Sequence, residues 1–525
     1  MKKMVNKGIL ALLLLVIASG CQKSFEDLNR NDNKPTSVPP GLLLNGVLNS
    51  LYDAPYSMNE RWCQYFCCNY DYYGNNRYDF GSGGNYYPTL KNVTKMEEEA
   101  LKGGANEVNP YSALGKFFRA YFFSKMTLTM GDLPMSEALL GAENLKPAYD
   151  SQKSIFQKAF LWLDSANTEL AQLIQANNIT LSGDFYFDND LSKWQKLVNT
   201  FRIRLLIELS KKAADPDLDV KGQFAAIVNN PSKYPIMESS EDNLAYRYVH
   251  PTNDYPMNPD NFGFDALRYN TSATYIGLLT ALKDPRVFVT AEPAGALVNG
   301  GKSPTSFDAF VGADPGEDLG TMYIKANSGQ YSLINRHHYY DTYTAEPGIQ
   351  IGYPELMFNI AEAINRGWIA NGPKGNAEAY YKEGIRASMA FYQIPESGAM
   401  TVYFLHPGAS LGTYDSYSVN VNFDDYYNQT AVKYSANPAM ALEQILNQRY
   451  LALFRHSGLE SYFAWRRTGV PDFTTGPGTG NSGRIALRFK YPGSEQTANT
   501  DHYKKALTDQ FGGNDDINGS MWILK

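Results

Sequence analysis

Apolar residues recur at helical spacing along most of this chain. In NPYSALGKFFRAYFFSKMTLTMGDLP, Leu114, Phe117, Phe118, Tyr121, Phe122 and Met126 form one stripe, and Gly131 and Pro134 end it. DSQKSIFQKAFLWLDSANTELAQL lines up Ile155, Phe156, Phe160, Leu163, Ala166 and Leu170 behind Asp150 or Ser151 as cap. DLSKWQKLVNTFRIRLLIELSKKAA repeats the pattern with Trp194, Leu197, Val198, Phe201, Leu205 and Leu209. YPELMFNIAEAINRGW and NAEAYYKEGIRASMAFYQI predict two helices joined by a turn at Ala370 to Asn376, and ALEQILNQRYLALFRH predicts another. Helices paired through short turns, with large residues facing alanines, pack as helical hairpin arrays do, although the period here is not strict. The fold class expected is mostly α. Residues 234–270 and 291–347, rich in Gly, Pro, Asn, Ser and Tyr, are loops long enough to be functional or to wrap a scaffold.

The first residues read differently. MKKMVNKGILALLLLVIASGC has three lysines, a short apolar stretch and a small-residue approach to Cys21, which is the layout of a secretory signal. A small-residue site ending at a cysteine resembles a bacterial lipobox, with Ala18 where leucine is usual. The resemblance implies that Cys21 takes a diacylglyceryl thioether and becomes the new N-terminus. The polar, proline-containing stretch that follows reads as a tether. The expected organisation is a signal at 1–20, a lipidated tether at 21–40 and a single body at 41–525, with no later stretch apolar enough to span a membrane.

Charge and reactive residues narrow the chemistry. The chain holds 47 basic and 54 acidic residues, and losing the first twenty removes three lysines and no acid. Such a balance argues against a nucleic-acid ligand. Cys63, Cys67 and Cys68 read as buried thiols, with metal or redox chemistry as the alternative. Asp184, Asp188 and Asp190 read as a helix-entry cap, with a bound ion as the alternative. HExxH and P-loop motifs are absent.

Seven segments in order resemble one family. They are NRNDNKPTSVPPGLLLNGVL, FFRAYFFSKMTLTMGDLPMSEAL, KWQKLVNTFRIRLLIELS, ALKDPRV, PELMFNIAEAINRGW, ILNQRYLALFRHSGLESYFAWRRTGVPDF and YPGSEQTANTDHY. Together they resemble the SusD/RagB-like outer-membrane lipoproteins, in the SusD-like group two branch. The resemblance implies tetratricopeptide-like helix pairs as scaffold, long irregular loops carrying the ligand face, and no catalysis or cofactor. It also implies a location at the outer membrane, facing the exterior, and a SusC-like TonB-dependent β-barrel as partner. An oligosaccharide is the implied ligand, with peptide capture and a surface hydrolase as alternatives. Asp284, Arg286, Glu355, Glu362, Arg466 and Arg467, which lie in these motifs, read as buried polar ties.

The ligand face is expected in NYDYYGNNRYDF, Asn69 to Phe80, which has neither helical nor strand period. Sugars offer apolar C–H faces, which aromatic rings cover, and hydroxyl rims, which amides and guanidinium groups hydrogen-bond. Tyr70, Tyr72, Tyr73 and Tyr78 are the expected platforms, and Asn75, Asn76 and Arg77 lead the polar contacts, beside Asn69 and Asp79. Packing against the scaffold and contact with the transporter are the competing readings, and Trp62 and Phe66 belong with packing. NRHHYYDTY, Asn335 to Tyr343, is a second candidate through Arg336, His338 and Tyr340, with the adjacent His337 and His338 diverging as on a strand. YPMNPDNFGF, Tyr255 to Phe264, is a third.

Overall fold

Each stripe read from the sequence is a helix in the computed structural model, which describes residues 37–525. The signal segment, Cys21 and the tether as far as residue 36 lie outside the described residues. Within the body, α1 (Pro110–Met130), α2 (Gln152–Gln175) and α3 (Leu191–Glu208) come first. α4 (Leu319–Asn327) sits in the long irregular stretch, and α5 (Tyr353–Asn365), α6 (Ala377–Phe391) and α7 (Pro438–Ala452) follow. α1 packs on α2, α2 on α3 and α5 on α6, while α7 lies against both α5 and α6. With 48% helix and 9% strand, the chain is mostly α, and its helix pairs are tetratricopeptide-like.

Local chemistry fixes the helix ends. The Asn109 carboxamide oxygen accepts from the N–H groups of Tyr111 (2.9 Å) and Ser112 (3.0 Å), and Ser112 Oγ accepts from Asn109 N (3.1 Å), closing a capping box. Gly131 ends α1 at φ 101°, where a Cβ would meet Gln510 Oε1 at 2.3 Å. Ser151 rather than Asp150 caps α2, accepting from Ser154 N. The Asp150 carboxylate instead accepts from Met135 N and Ser136 N, tying down the preceding loop. Asp190 caps α3, while Asp184 accepts from Tyr186 N, Asn189 N and Trp194 Nε1 and so shapes the entry loop.

The charged residues of these motifs lie inside. Arg286 pairs with Asp284 at 2.6 Å, both fully buried, and donates to Gln448 Oε1 and Ser388 Oγ. Arg204 and Arg449 converge on Glu355, Arg467 and Arg366 on Glu362, and Arg466 donates to the carbonyls of Leu128 and Leu487. A buried charge without such partners would cost several kcal/mol, so these groups act as ties between helices.

Strands are few. β1 (Phe66–Cys68) pairs antiparallel with β3 (Tyr269–Thr271), β2 (Leu244–Tyr246) with β4 (Gly348–Ile351), and β5 (Ser397–Leu405) with β6 (Tyr414–Asn422). The last pair is a nine-residue hairpin that buries Met400, Val402 and Phe404 and turns Thr401, Ser416, Ser418 and Asn420 to solvent. Cys63, Cys67 and Cys68 are buried free thiols. Among the described residues no helix is long and apolar enough to cross a membrane.

Candidate functional site

β1 and β3 bring together two segments two hundred residues apart, and the tyrosine-rich loop leaves from the end of β1. Asn69 anchors the exit: it is buried, and its carboxamide donates to Leu267 O (2.9 Å) and to the Asn270 side chain (2.6 Å). Asn76 then folds the loop back, its carboxamide accepting from Cys68 N and donating to Cys68 O. Tyr78 enters the core, where its hydroxyl donates to Trp62 O (2.9 Å) and accepts from Gln64 Nε2 (3.2 Å). Asn76 and Tyr78 were expected at the ligand, but burial leaves them no face to offer one.

The loop between these anchors is held outward. Tyr72 is 83% exposed and meets Tyr73 edge-on, with ring centroids 5.2 Å apart. Tyr73 donates its hydroxyl to the carbonyl of Phe264, itself an exposed ring in the third candidate segment. Tyr70 lies 5.4 Å from Tyr323 of α4 at an interplanar angle of 31°, and the Arg268 guanidinium sits over both rings at 4.9 and 5.9 Å. Asn75 and Arg77 are exposed; the first accepts from Arg77 N, and the second pairs with Asp79 at 2.5 Å.

The second segment departs from its expectation. Arg336–Tyr340 is a short helix rather than a strand, capped by Asn335, whose side chain accepts from His338 N. Tyr340 is buried and donates its hydroxyl to Asp265 (2.8 Å), a carboxyl that burial raises to about 6, so it braces the loop instead of meeting ligand. His338 Nε2 lies 2.9 Å from Glu346 and is largely covered. Arg336 alone reaches a cavity, clasping Glu292 through Nε and Nη2 while its backbone N–H bonds the same carboxylate. Tyr255, in the third segment, is buried in the core.

That cavity is a cleft of about 330 Å³ with the Arg336–Glu292 pair among its lining groups. Phe404, Leu405, Asp415 and Tyr417 of the β5–β6 hairpin line it, facing Tyr331, Ala326 and Asn327. The cleft and the tyrosine platform adjoin. Leu267, at the cleft, precedes Arg268, at the platform, and Ala326 and Asn327 follow Tyr323 by one helical turn of α4. Sequence reasoning missed Arg268, Tyr323 and Tyr417, each a lone residue in its own segment. The one available signal was the alternation of Tyr417, Val419 and Val421 in a strand pattern. The arrangement offers stacking faces, guanidinium and amide donors and a partly enclosed trough, with its two cleft carboxylates already engaged by Arg336 and His406.

The comparisons agree with this architecture. A SusD homolog from Bacteroides fragilis NCTC 9343 superposes with a TM-score of 0.79 at 32% identity, covering 93% of this chain and 100% of that one. A second SusD homolog from the same organism gives 0.76 at 29% identity, with the same coverage. A chitin-binding SusD homolog from Flavobacterium johnsoniae shares the fold at a TM-score of 0.68 and 19% identity, over 93% of this chain and 98% of that one. No protein of curated function matches. The model of the SusD-like group two family, described as starch-binding and associating with the outer membrane, matches residues 32–492, and the chain belongs to that family.

Proposed function

We propose that this protein is a non-catalytic, lipid-anchored receptor at the outer membrane that captures an oligosaccharide and delivers it to a SusC-like TonB-dependent barrel. The observation that carries the reading is the Tyr70–Tyr323 pair under Arg268, each ring 38% exposed, beside the 330 Å³ cleft. Exposed aromatic rings receive the C–H faces of sugars, and Arg77, Asn75 and the cleft supply hydrogen bonds for the hydroxyls. Family membership and the chitin-binding relative support a glycan over a peptide. A hydrolase would need a free carboxyl pair, whereas Glu292 and Asp415 are both partnered.

A glycan-array screen followed by calorimetry tests this. The double variant Tyr70→Ala, Tyr323→Ala is expected to weaken the selected oligosaccharide at least tenfold, about 1.4 kcal/mol, with melting temperature retained. Unchanged affinity in a folded double variant would refute the platform, and binding of peptides alone would refute the glycan.

A further inference from the structure

A second cavity, apart from the outer cleft, lies where α1 and α3 meet the residues after α7. It holds about 170 Å³, room for roughly six waters at ~30 Å³ each. Exposed Gly84 and half-buried Asn59 and Tyr86 mark its opening, and the Lys125–Asp53 ion pair (2.7 Å) lies in its wall. Arg204 and Glu460 form its polar end, both more than nine-tenths buried. Arg204 spends Nε and Nη2 on Glu355, Gln350 O and Ser457, leaving Nη1 without a partner among the described residues. Glu460 meets Arg449 (3.4 Å) and Arg204 (3.8 Å) through the same oxygen, Oε2, leaving Oε1 equally unpartnered. Neither atom is sealed off, so each is open to water or to a ligand in the cavity.

We infer that this cavity is a binding site for a single sugar ring or polyol of that size, held by adjacent hydroxyls. Vicinal hydroxyls present an acceptor beside a donor, and the 3.8 Å contact of Arg204 Nε with Glu460 Oε2 sets a guanidinium with a free N–H group beside a carboxyl with a free oxygen. The charged groups of the lining and their neighbours are paired, Arg204 with Glu355, Arg449 with Glu355 and Glu460, and Lys125 with Asp53. Such pairing leaves no free counter-ion for a charged ligand, and a neutral polyol needs none. The apolar remainder of the lining suits the C–H face of a ring.

The test is calorimetry or saturation-transfer NMR with D-glucose, D-galactose, D-mannose and N-acetyl-D-glucosamine, and with L-leucine as a zwitterion of similar size. At least one sugar is expected to bind with millimolar affinity. Asn59→Trp, at the opening, and Thr129→Leu, which fills the cavity from α1, are each expected to weaken it tenfold or more. Tyr70→Ala with Tyr323→Ala should leave it intact, separating this site from the outer platform. No saturable binding of any of the four sugars would overturn the inference, as would binding of leucine alone. Wild-type affinity in folded Asn59→Trp and Thr129→Leu proteins, or loss in the outer-platform variant, would overturn it too. If neither filling variant folds, crystals soaked in the sugar decide by density, or its absence, between Arg204 and Glu460.

Discussion

Tyr72 and Tyr78 stand six residues apart in one loop and do opposite work. Tyr72 has little to lose on folding, being 83% exposed, whereas Tyr78 sits under Trp62 O and Gln64 at 1% exposure. Chemical denaturation should therefore separate them: Tyr78→Ala loses about 3–5 kcal/mol as a large-to-small core change, and Tyr72→Ala stays within about 0.5 kcal/mol of wild type. Composition marked the segment as rich in rings and amides, and it could not say which rings face out, because burial depends on partners two to four hundred residues away. Titration gives a second test at this scale. Burial raises the Glu362 carboxyl, but Arg467 and Arg366 outweigh it and hold it at about 2, against an ordinary 4.5. A depressed carboxyl stabilises the fold fully above the unfolded value, and the contribution is lost as pH falls through 4.5 toward 2. It amounts to roughly 3 kcal/mol. In urea melts across that window, Glu362→Gln should start less stable at neutral pH and show a flatter acid limb.

At the scale of elements, the scaffold was written in local sequence. The helical stripes, the caps and the Gly131 stop all act within a few residues, so period and capping chemistry locate α1, α2 and α3. Even so, 18 of the 21 residues of α1 are buried, against a stripe of six read from its sequence, because neighbouring elements cover the remaining faces. The β5–β6 hairpin escaped notice for the opposite reason. Its solvent face is Ser, Thr and Asn, its connection is eight residues long, and its apolar alternation is short. Asn109 tests how much a cap contributes to such a buried helix. Asn109→Ala removes both accepted hydrogen bonds and is expected to cost about 1 kcal/mol in thermal melts.

The whole molecule joins a legible frame to an illegible face. Helix pairs tied by Asp284–Arg286, Glu355 with its two arginines, and Glu362–Arg467 make a frame whose parts were all readable as motifs. The proposed ligand face is assembled from residues near 70, 268, 323 and 417, one or two from each, and sequence order hides such convergence. Asn69 and Asn76 anchor its tyrosine loop at both ends, so on the proposed function an oligosaccharide should find the platform already formed. The three thiols gathered near β1 have a different consequence. Burial raises all three thiols, Cys63 and Cys67 well above the usual range, and none has another cysteine as a bonded partner. An alkylating reagent should ignore all three in the native protein and consume them together as urea opens it, with the same midpoint as the loss of circular dichroism. The cell's oxidants meet the same shield: these sulfurs are a silent tamper seal, intact for as long as β1 and the turn before it stay covered.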